Sequence, residues 1–207
     1  MAQGLRARFV YISTDAVFDG RHGNYSETDR PDPLSAYAKS KLRGGREVLR
    51  RHSSALIVRV SIYGWNQQSM AEWVLNEILA GSRVPGFADF YFCPILADDL
   101  AEVLLTMPDL DLSGIYHVGS SQRIGKYDFA RRAAMTFNLA VDRVAPVSLA
   151  AANLRAPRPM DPSLNTDKIR AALGRPMPDV ETDLGKFRHL RDSGYRNQLK
   201  SFLIRAS

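Results

Sequence analysis

Three stretches of the chain carry the dense β-branched and aromatic runs of buried strands: Arg8-Phe-Val-Tyr-Ile-Ser13, Ala55-Leu-Ile-Val-Arg-Val60 and Gly114-Ile-Tyr-His-Val118. Between and after them the apolar positions recur at helical spacing. Asp32-Pro33 reads as an N-cap followed by proline in the first turn, opening a helix to about Arg51. Trp73, Val74, Glu77 and Ile78 place a helix over about 70–80, with Gly81 as its stop. Further helices are expected from the cap Asp98-Asp99 to about Met107, over Lys126–Asn138, from Asn165 or Thr166 as N-cap, and along the basic tail from Lys186 to Ser207. Phe18–Pro33 is rich in Gly, Asn and Asp and reads as a loop. Val84–Cys93 reads as an aromatic-rich loop or short strand, and Val141–Pro162, rich in Ala and Pro, as irregular.

The composition narrows the class. A length of 207 residues with 45% hydrophobic and 24% charged residues suits one globular domain. No apolar run approaches the roughly 18 residues of a membrane helix, and the N-terminus has no signal-peptide core. The single Cys93 has no internal disulfide partner, in keeping with a reducing cytoplasm, and reads as a packed thiol. The net charge of +6 is dispersed over Arg43, Arg46, Arg50, Arg51, Arg131 and Arg132 without interleaved stacking aromatics. That argues against a nucleic-acid partner.

The candidate chemistry lies in Tyr37-Ala-Lys-Ser-Lys41. Tyr37 and Lys41 are four residues apart, hence on one helix face, one turn apart. A phenol with its reference pKa of about 10 is a poor proton donor or acceptor at neutral pH. A neighbouring ammonium favours the phenolate and suits it to proton transfer at a carbonyl oxygen. Thr14, at the end of the first strand, would add a neutral donor to the same oxygen. The competing reading of Tyr37 and Lys41 is a solvated helix face. Asp98-Asp99 with no His nearby indicates capping rather than a metal site, and no metal is expected. His117 reads as a structural histidine. Arg158, between two prolines, suits a phosphate contact or a turn equally.

Phe9-Val-Tyr-Ile-Ser-Thr-Asp-Ala-Val-Phe-Asp-Gly20 and Pro33-Leu-Ser-Ala-Tyr-Ala-Lys-Ser-Lys-Leu42 resemble the extended short-chain dehydrogenase/reductases. The branch they resemble is the dTDP-4-dehydrorhamnose reductase-like (RmlD-like) sugar-nucleotide-binding proteins. The likeness continues through Leu56–Gly64, Pro94–Ala101, Gly114–Gly119 and Pro157-Arg-Pro159. It implies an α/β fold, the C-terminal portion of a Rossmann-like doubly wound parallel sheet plus a small substrate-binding lobe. The sheet part is expected mainly in 8–64 and 112–120, and the lobe mainly in 65–111 and 121–207. The resemblance places the catalytic set on Thr14, Tyr37 and Lys41, gives Tyr37 and Lys41 to the nicotinamide cofactor, and sets Thr14 and Asp15 at the substrate. Phe87, Phe90 and Tyr91 lie where the family approaches its sugar nucleotide, although packing is the simpler role for each.

Three departures bear on function. The Gly-rich turn that holds the dinucleotide pyrophosphate in the family does not occur in these 207 residues. The chain is thus expected to be a single domain lacking its N-terminal strands, with NADPH or NADH as cofactor but the pyrophosphate site missing. Ile62 stands where the rhamnose branch commonly carries a tryptophan, and Lys41-Leu-Arg-Gly-Gly45 lacks the family's acidic residue, its two glycines weakening the helix that bears Tyr37. The resemblance implies NAD(P)H-dependent reduction of a nucleotide-linked 4-keto-6-deoxysugar, with the isolated chain inactive. The alternative is a non-catalytic sugar-nucleotide-binding or regulatory protein resembling the methionine adenosyltransferase regulatory subunit. A homo-oligomer or a partner is expected to cover the open edge of the sheet.

Overall fold

The computed structural model describes residues 8–65, 69–152, 154–195 and 198. Strand β1 (Val10–Thr14) passes through a 3-10 turn at Asp15–Val17 and a long loop into helix α1 (Ala36–Arg51), followed by β2 (Leu56–Tyr63). Next come α2 (Met70–Leu79), three short strands β3 (Val84–Phe87), β4 (Tyr91–Phe92) and β5 (Pro94–Leu96), and α3 (Ala97–Thr106). The order closes with β6 (Gly114–Val118), β7 (Ile124–Gly125), α4 (Lys126–Thr136), β8 (Val144–Val147), α5 (Asp167–Leu173) and α6 (Val180–Asp192).

β2 is the hub of a parallel sheet. Its residues 56–60 pair with β1 on one edge and β6 on the other, and its residues 61–63 continue onto β5. The fold class is the α/β arrangement the resemblance implied. The sheet has a fourth strand, Pro94–Leu96, where three were expected. Three residues inside the largely apolar Phe90–Leu96 run carry no period that marks a separate strand. The outer edge of β1 has no strand partner among the described residues.

The two faces of the sheet follow from period-2 alternation. Leu56, Val58 and Val60 join Ile95, Tyr116 and Val118 in a core closed by Leu100, Val103 and Met107 and by Ile169 of α5. Ile57 and Arg59 point the other way, toward α1. That helix begins at Ala36, with the Ser35 hydroxyl accepting from the Ala38 amide at 3.2 Å. The cap is therefore Ser35 and not Asp32. A serine satisfies an orphan helix amide as well as an aspartate does, and here it stands three residues later.

The lobe packs around a second, aromatic core of Tyr63, Trp65, Phe92, Phe129, Phe137 and Phe187. Phe187 stacks on Trp65 with ring centroids 4.0 Å apart, and the Trp65 indole donates to the Phe187 carbonyl at 2.9 Å. Val144–Val147, expected to be irregular, pairs in parallel with β3. Its single proline is tolerated because the two-stranded ladder leaves it an unpaired edge. Asp98 and Asp99 do not cap α3. Leu96 occupies the N-cap without a side-chain bond, and the acids sit in the first turn, where the helix dipole favours them. The C-terminal helix starts at Val180, capped by Asp179, six residues before the expected start, and its tail beyond Tyr195 lies largely outside the described residues. No helix among the described residues is long and apolar enough to cross a membrane.

The loop after β1 is pinned beneath the sheet. Tyr25 donates its amide to the Ser163 carbonyl at 2.8 Å, and the Asn165 amide donates to the Tyr25 carbonyl at 2.7 Å. Gly20, at φ 77°, brings its Cα so close to the Pro159–Asp161 backbone that no side chain would fit.

Candidate active site

β1 and β2 run in register, Thr14 beside Val60, so Asp15 and Ser61 emerge side by side at the carboxyl ends of the two strands. Open α/β sheets hold ligands at this end. The first turns of α1 return across it, because the loop delivers the helix N-terminus directly above the strand ends. The result is a cleft of about 320 Å³ lined by Thr14, Asp15, Tyr37, Lys41, Ser61 and Ile62, among others. Tyr37 is 56% exposed at its mouth. The Lys41 ammonium stands 4.4 Å from the centroid of the Tyr11 ring, which props it from the sheet side. All four site residues expected from the sequence are thus gathered in one place.

The floor of the cleft is a small polar network. The Thr14 hydroxyl donates to Asp15 Oδ1 at 3.0 Å and accepts from the Ala16 amide at 3.2 Å. Burial pushes the Asp15 carboxyl above the usual carboxylate range, and the Lys126 charge and hydrogen bonds from Thr14, Ala16 and Ser61 hold it down in part. Lys126 answers in kind. Burial lowers its ammonium to about 8, Asp15 opposes that fall, and Arg158 adds to it. The Lys126 Nζ sits 3.8 Å from the Phe90 ring centroid and 5.6 Å from that of Phe92, an environment poor in water. The network has a chemical consequence. A hydroxyl has one proton, and that of Thr14 is committed to Asp15 while Asp15 is ionised. Protonating Asp15 reverses the bond and frees the Thr14 proton for a ligand oxygen in the cleft.

Ser61 and Lys126 are the members that sequence reasoning did not single out. Ser61 was legible in principle, since pairing the two strands puts it beside Asp15. Lys126 reads as an ordinary helix-surface lysine, and only the fold of the lobe brings it to Asp15. Of the three aromatics near the substrate approach, Phe90 is buried in the lobe core with Phe87 packed against that core, and Tyr91 carries the Arg123 guanidinium 3.6 Å from its ring centroid. Arg158 is exposed and within electrostatic reach of Lys126. Cys93 is a buried thiol, pushed up to about 11 by burial. His117 is fully buried, with Nδ1 against the Tyr25 carbonyl at 2.9 Å, and burial pushes it down to about 3. Among the described residues no group of His, Cys, Asp and Glu is placed to hold a metal ion.

The chain is similar in sequence and fold to known proteins. The chain is 32% identical over 183 residues to a probable low-salt glycan biosynthesis reductase of Haloferax volcanii, covering 85% of this chain and 61% of the relative. It is 33% identical over 172 residues to the methionine adenosyltransferase 2 subunit beta of Danio rerio, covering 77% and 53% respectively. The chain thus spans little more than half the length of these relatives. The crystal structure of dTDP-4-dehydrorhamnose reductase from Bacillus anthracis in complex with NADP superimposes with a TM-score of 0.84 at 29% identity, over 90% of this chain and 66% of that one. Residues 1–190 match the RmlD substrate binding domain. With that match running through both strand ends and the helix of Tyr37, the chain belongs to the RmlD substrate binding domain family.

Proposed function

We propose that the chain supplies the proton-donating and sugar-nucleotide-binding part of an NAD(P)H-dependent reductase acting on the ketone of a nucleotide-linked 4-keto-6-deoxysugar. The observation that carries this reading is the convergence of Thr14, Tyr37 and Lys41 on one cleft at the carboxyl ends of β1 and β2. The residues present fit the nicotinamide end of a dinucleotide: Tyr37 is accessible at the mouth, and Lys41 follows one helical turn later on the same wall. A nicotinamide held beside Tyr37 and Lys41 would supply the hydride for the carbonyl carbon. Tyr37 gives its phenolic proton to the carbonyl oxygen as negative charge develops there. Lys41 holds the ribose hydroxyls and, as a cation, favours the phenolate left behind. Thr14 donates to the carbonyl oxygen once Asp15 is protonated and the bond between the two is reversed. Lys126 and Asp15 set the charge of the sugar end of the cleft. The cofactor's phosphates would be held outside the residues described here.

A second reading is supported by the likeness to the beta subunits: a non-catalytic binding protein that keeps the cleft and uses it for regulation. Calorimetric titration separates the two. Under the reductase reading the chain binds a dTDP-linked 4-keto-6-deoxysugar saturably, and Thr14→Val weakens binding about tenfold, roughly the worth of one neutral hydrogen bond. A chain that ignores the nucleotide sugar and instead binds a methionine adenosyltransferase catalytic subunit would favour the second.

A further inference from the structure

A second cavity lies on the α1 side of the sheet, away from the cleft. It has a volume of about 290 Å³. Its floor is the pair of cross-strand neighbours Ile57 and Ile115, its wall Leu42 and Leu49 of α1, and its rim the loop residues Glu27–Pro31. Three arginines reach it: Arg30, Arg46 and Arg59.

Arg59 is the unusual member. It is 4% exposed, on the central strand of the sheet, yet its guanidinium has one hydrogen-bond partner among the described residues, His117 Nε2 at 3.2 Å. That partner carries no charge. With its Nδ1 proton given to the Tyr25 carbonyl, the ring can offer Arg59 only a lone pair, and its lowered pKa keeps it neutral. The Phe18 ring lies 5.1 Å from the guanidinium carbon and gives a weak attraction. Glu27 is near enough to be felt, but its Oε1 accepts from the His117 amide at 2.9 Å and it makes no ion pair with Arg59. Asp29 also lines the rim, where its Oδ2 accepts from the Ser26 amide at 2.6 Å and from the Ser26 hydroxyl at 2.8 Å. A buried cation without a paired anion is costly, and burial accordingly pulls Arg59 down to about 10, with Glu27 resisting and Arg46 adding to the fall. Arg59 lines the cavity, and its guanidinium has no hydrogen-bond partner other than His117 among the described residues.

We propose that this cavity is a binding site for a small organic carboxylate with an apolar body. The carboxylate would take the free donors of Arg59 in the bidentate geometry that guanidinium favours, with Arg46 at the mouth adding charge. The apolar body would lie on Leu42, Leu49, Ile57 and Ile115. The site uses the middle of α1 and of β2, whereas the cleft uses their ends, so the proposal does not depend on the reductase reading.

The test is a methyl-detected NMR titration of the 207-residue chain with sodium hexanoate, hexanamide and inorganic phosphate as probes. Hexanoate should shift the Leu42, Leu49, Ile57 and Ile115 methyls saturably, and hexanamide should bind at least about tenfold more weakly, the worth of a charge-assisted contact. Phosphate should leave those methyls in place. Arg59→Met should abolish the shifts. Because that change alters the core, Arg46→Glu at the exposed mouth provides a second arm and should weaken hexanoate about tenfold with the fold intact. Equal affinity for hexanoate and hexanamide, binding unchanged in Arg46→Glu, or no saturable shift up to about 10 mM, a binding free energy of only some 3 kcal/mol, would overturn the proposal.

Discussion

Helix α1 carries two adjacent glycines, and propensity alone says that either should be improved by alanine, by about 1 kcal/mol each. The structure separates them. A Cβ built on Gly44 would stand 2.9 Å from Tyr11 Cζ and closer still to the phenolic oxygen. One built on Gly45 would meet the Ile57 Cγ2 at 3.4 Å, the edge of ordinary contact. Gly44→Ala must therefore displace the Tyr11 ring, and overpacking of that kind costs about 1–3 kcal/mol. Set against the propensity gain, the net effect is a loss of about 1 kcal/mol, while Gly45→Ala gains up to about 1 kcal/mol. The two variants should differ by roughly 2 kcal/mol in urea denaturation, with unchanged slope. The displaced ring is also the one beneath the Lys41 ammonium, so Gly44→Ala should perturb ligand binding in the cleft and Gly45→Ala should not. Equal stabilisation by both alanines would refute the argument, since it would mean that Tyr11 does not press on the helix as described.

Two further outcomes follow from the lobe and the sheet edge. Burial first, and then the neighbouring Asp99, hold the Asp183 carboxyl well above the usual carboxylate range, although the Leu96 amide donates to it at 3.1 Å. The native state therefore keeps a proton that the unfolded chain releases near pH 4, so stability should fall as pH rises from about 4 toward neutrality. Asp183→Asn should flatten that fall in pH-dependent melts, and a variant with the parental slope would show that Asp183 is not the group concerned. At the other end of the molecule, β1 shows an unpaired edge among the described residues, and edges of that kind recruit further strands. The chain at tens of micromolar should self-associate in analytical ultracentrifugation, and a monodisperse monomer with a cooperative melt would count against the open edge.

Much of this architecture is legible in the sequence because its signals are local. The runs around Ile12, Val58 and Tyr116 are strands by composition, and Gly81 ends α2 at φ 85° as a C-terminal glycine should. The shared helix face of Tyr37 and Lys41 was legible for the same reason, by spacing alone, whereas Thr14 and Asp15 came to the candidate site through the family resemblance. What escaped depends on distant pairing. Pro94–Leu96 becomes a strand only because Ser61–Tyr63 extends beyond β6 and leaves donors to satisfy. Val144–Val147 is a strand because β3 lies beside it. Lys126 looks like a surface charge in sequence, and Arg59, although it lies in a run read as a buried strand, gives no sign there of the group it meets. Their burial against Phe90 and His117 is set by chain segments tens of residues away, and a one-dimensional pattern holds no record of it.

The central claim, that Tyr37 is the proton donor of a reductase, is tested most directly by single-turnover reduction. The chain would be joined to a dinucleotide-binding half and mixed with NADPH and a dTDP-linked 4-keto-6-deoxysugar. Tyr37→Phe should slow the reduction by about 10²–10⁴-fold, the usual worth of general acid catalysis, with little change in substrate affinity. A rate within about threefold of the parent, under 1 kcal/mol of transition-state stabilisation, would contradict the assignment.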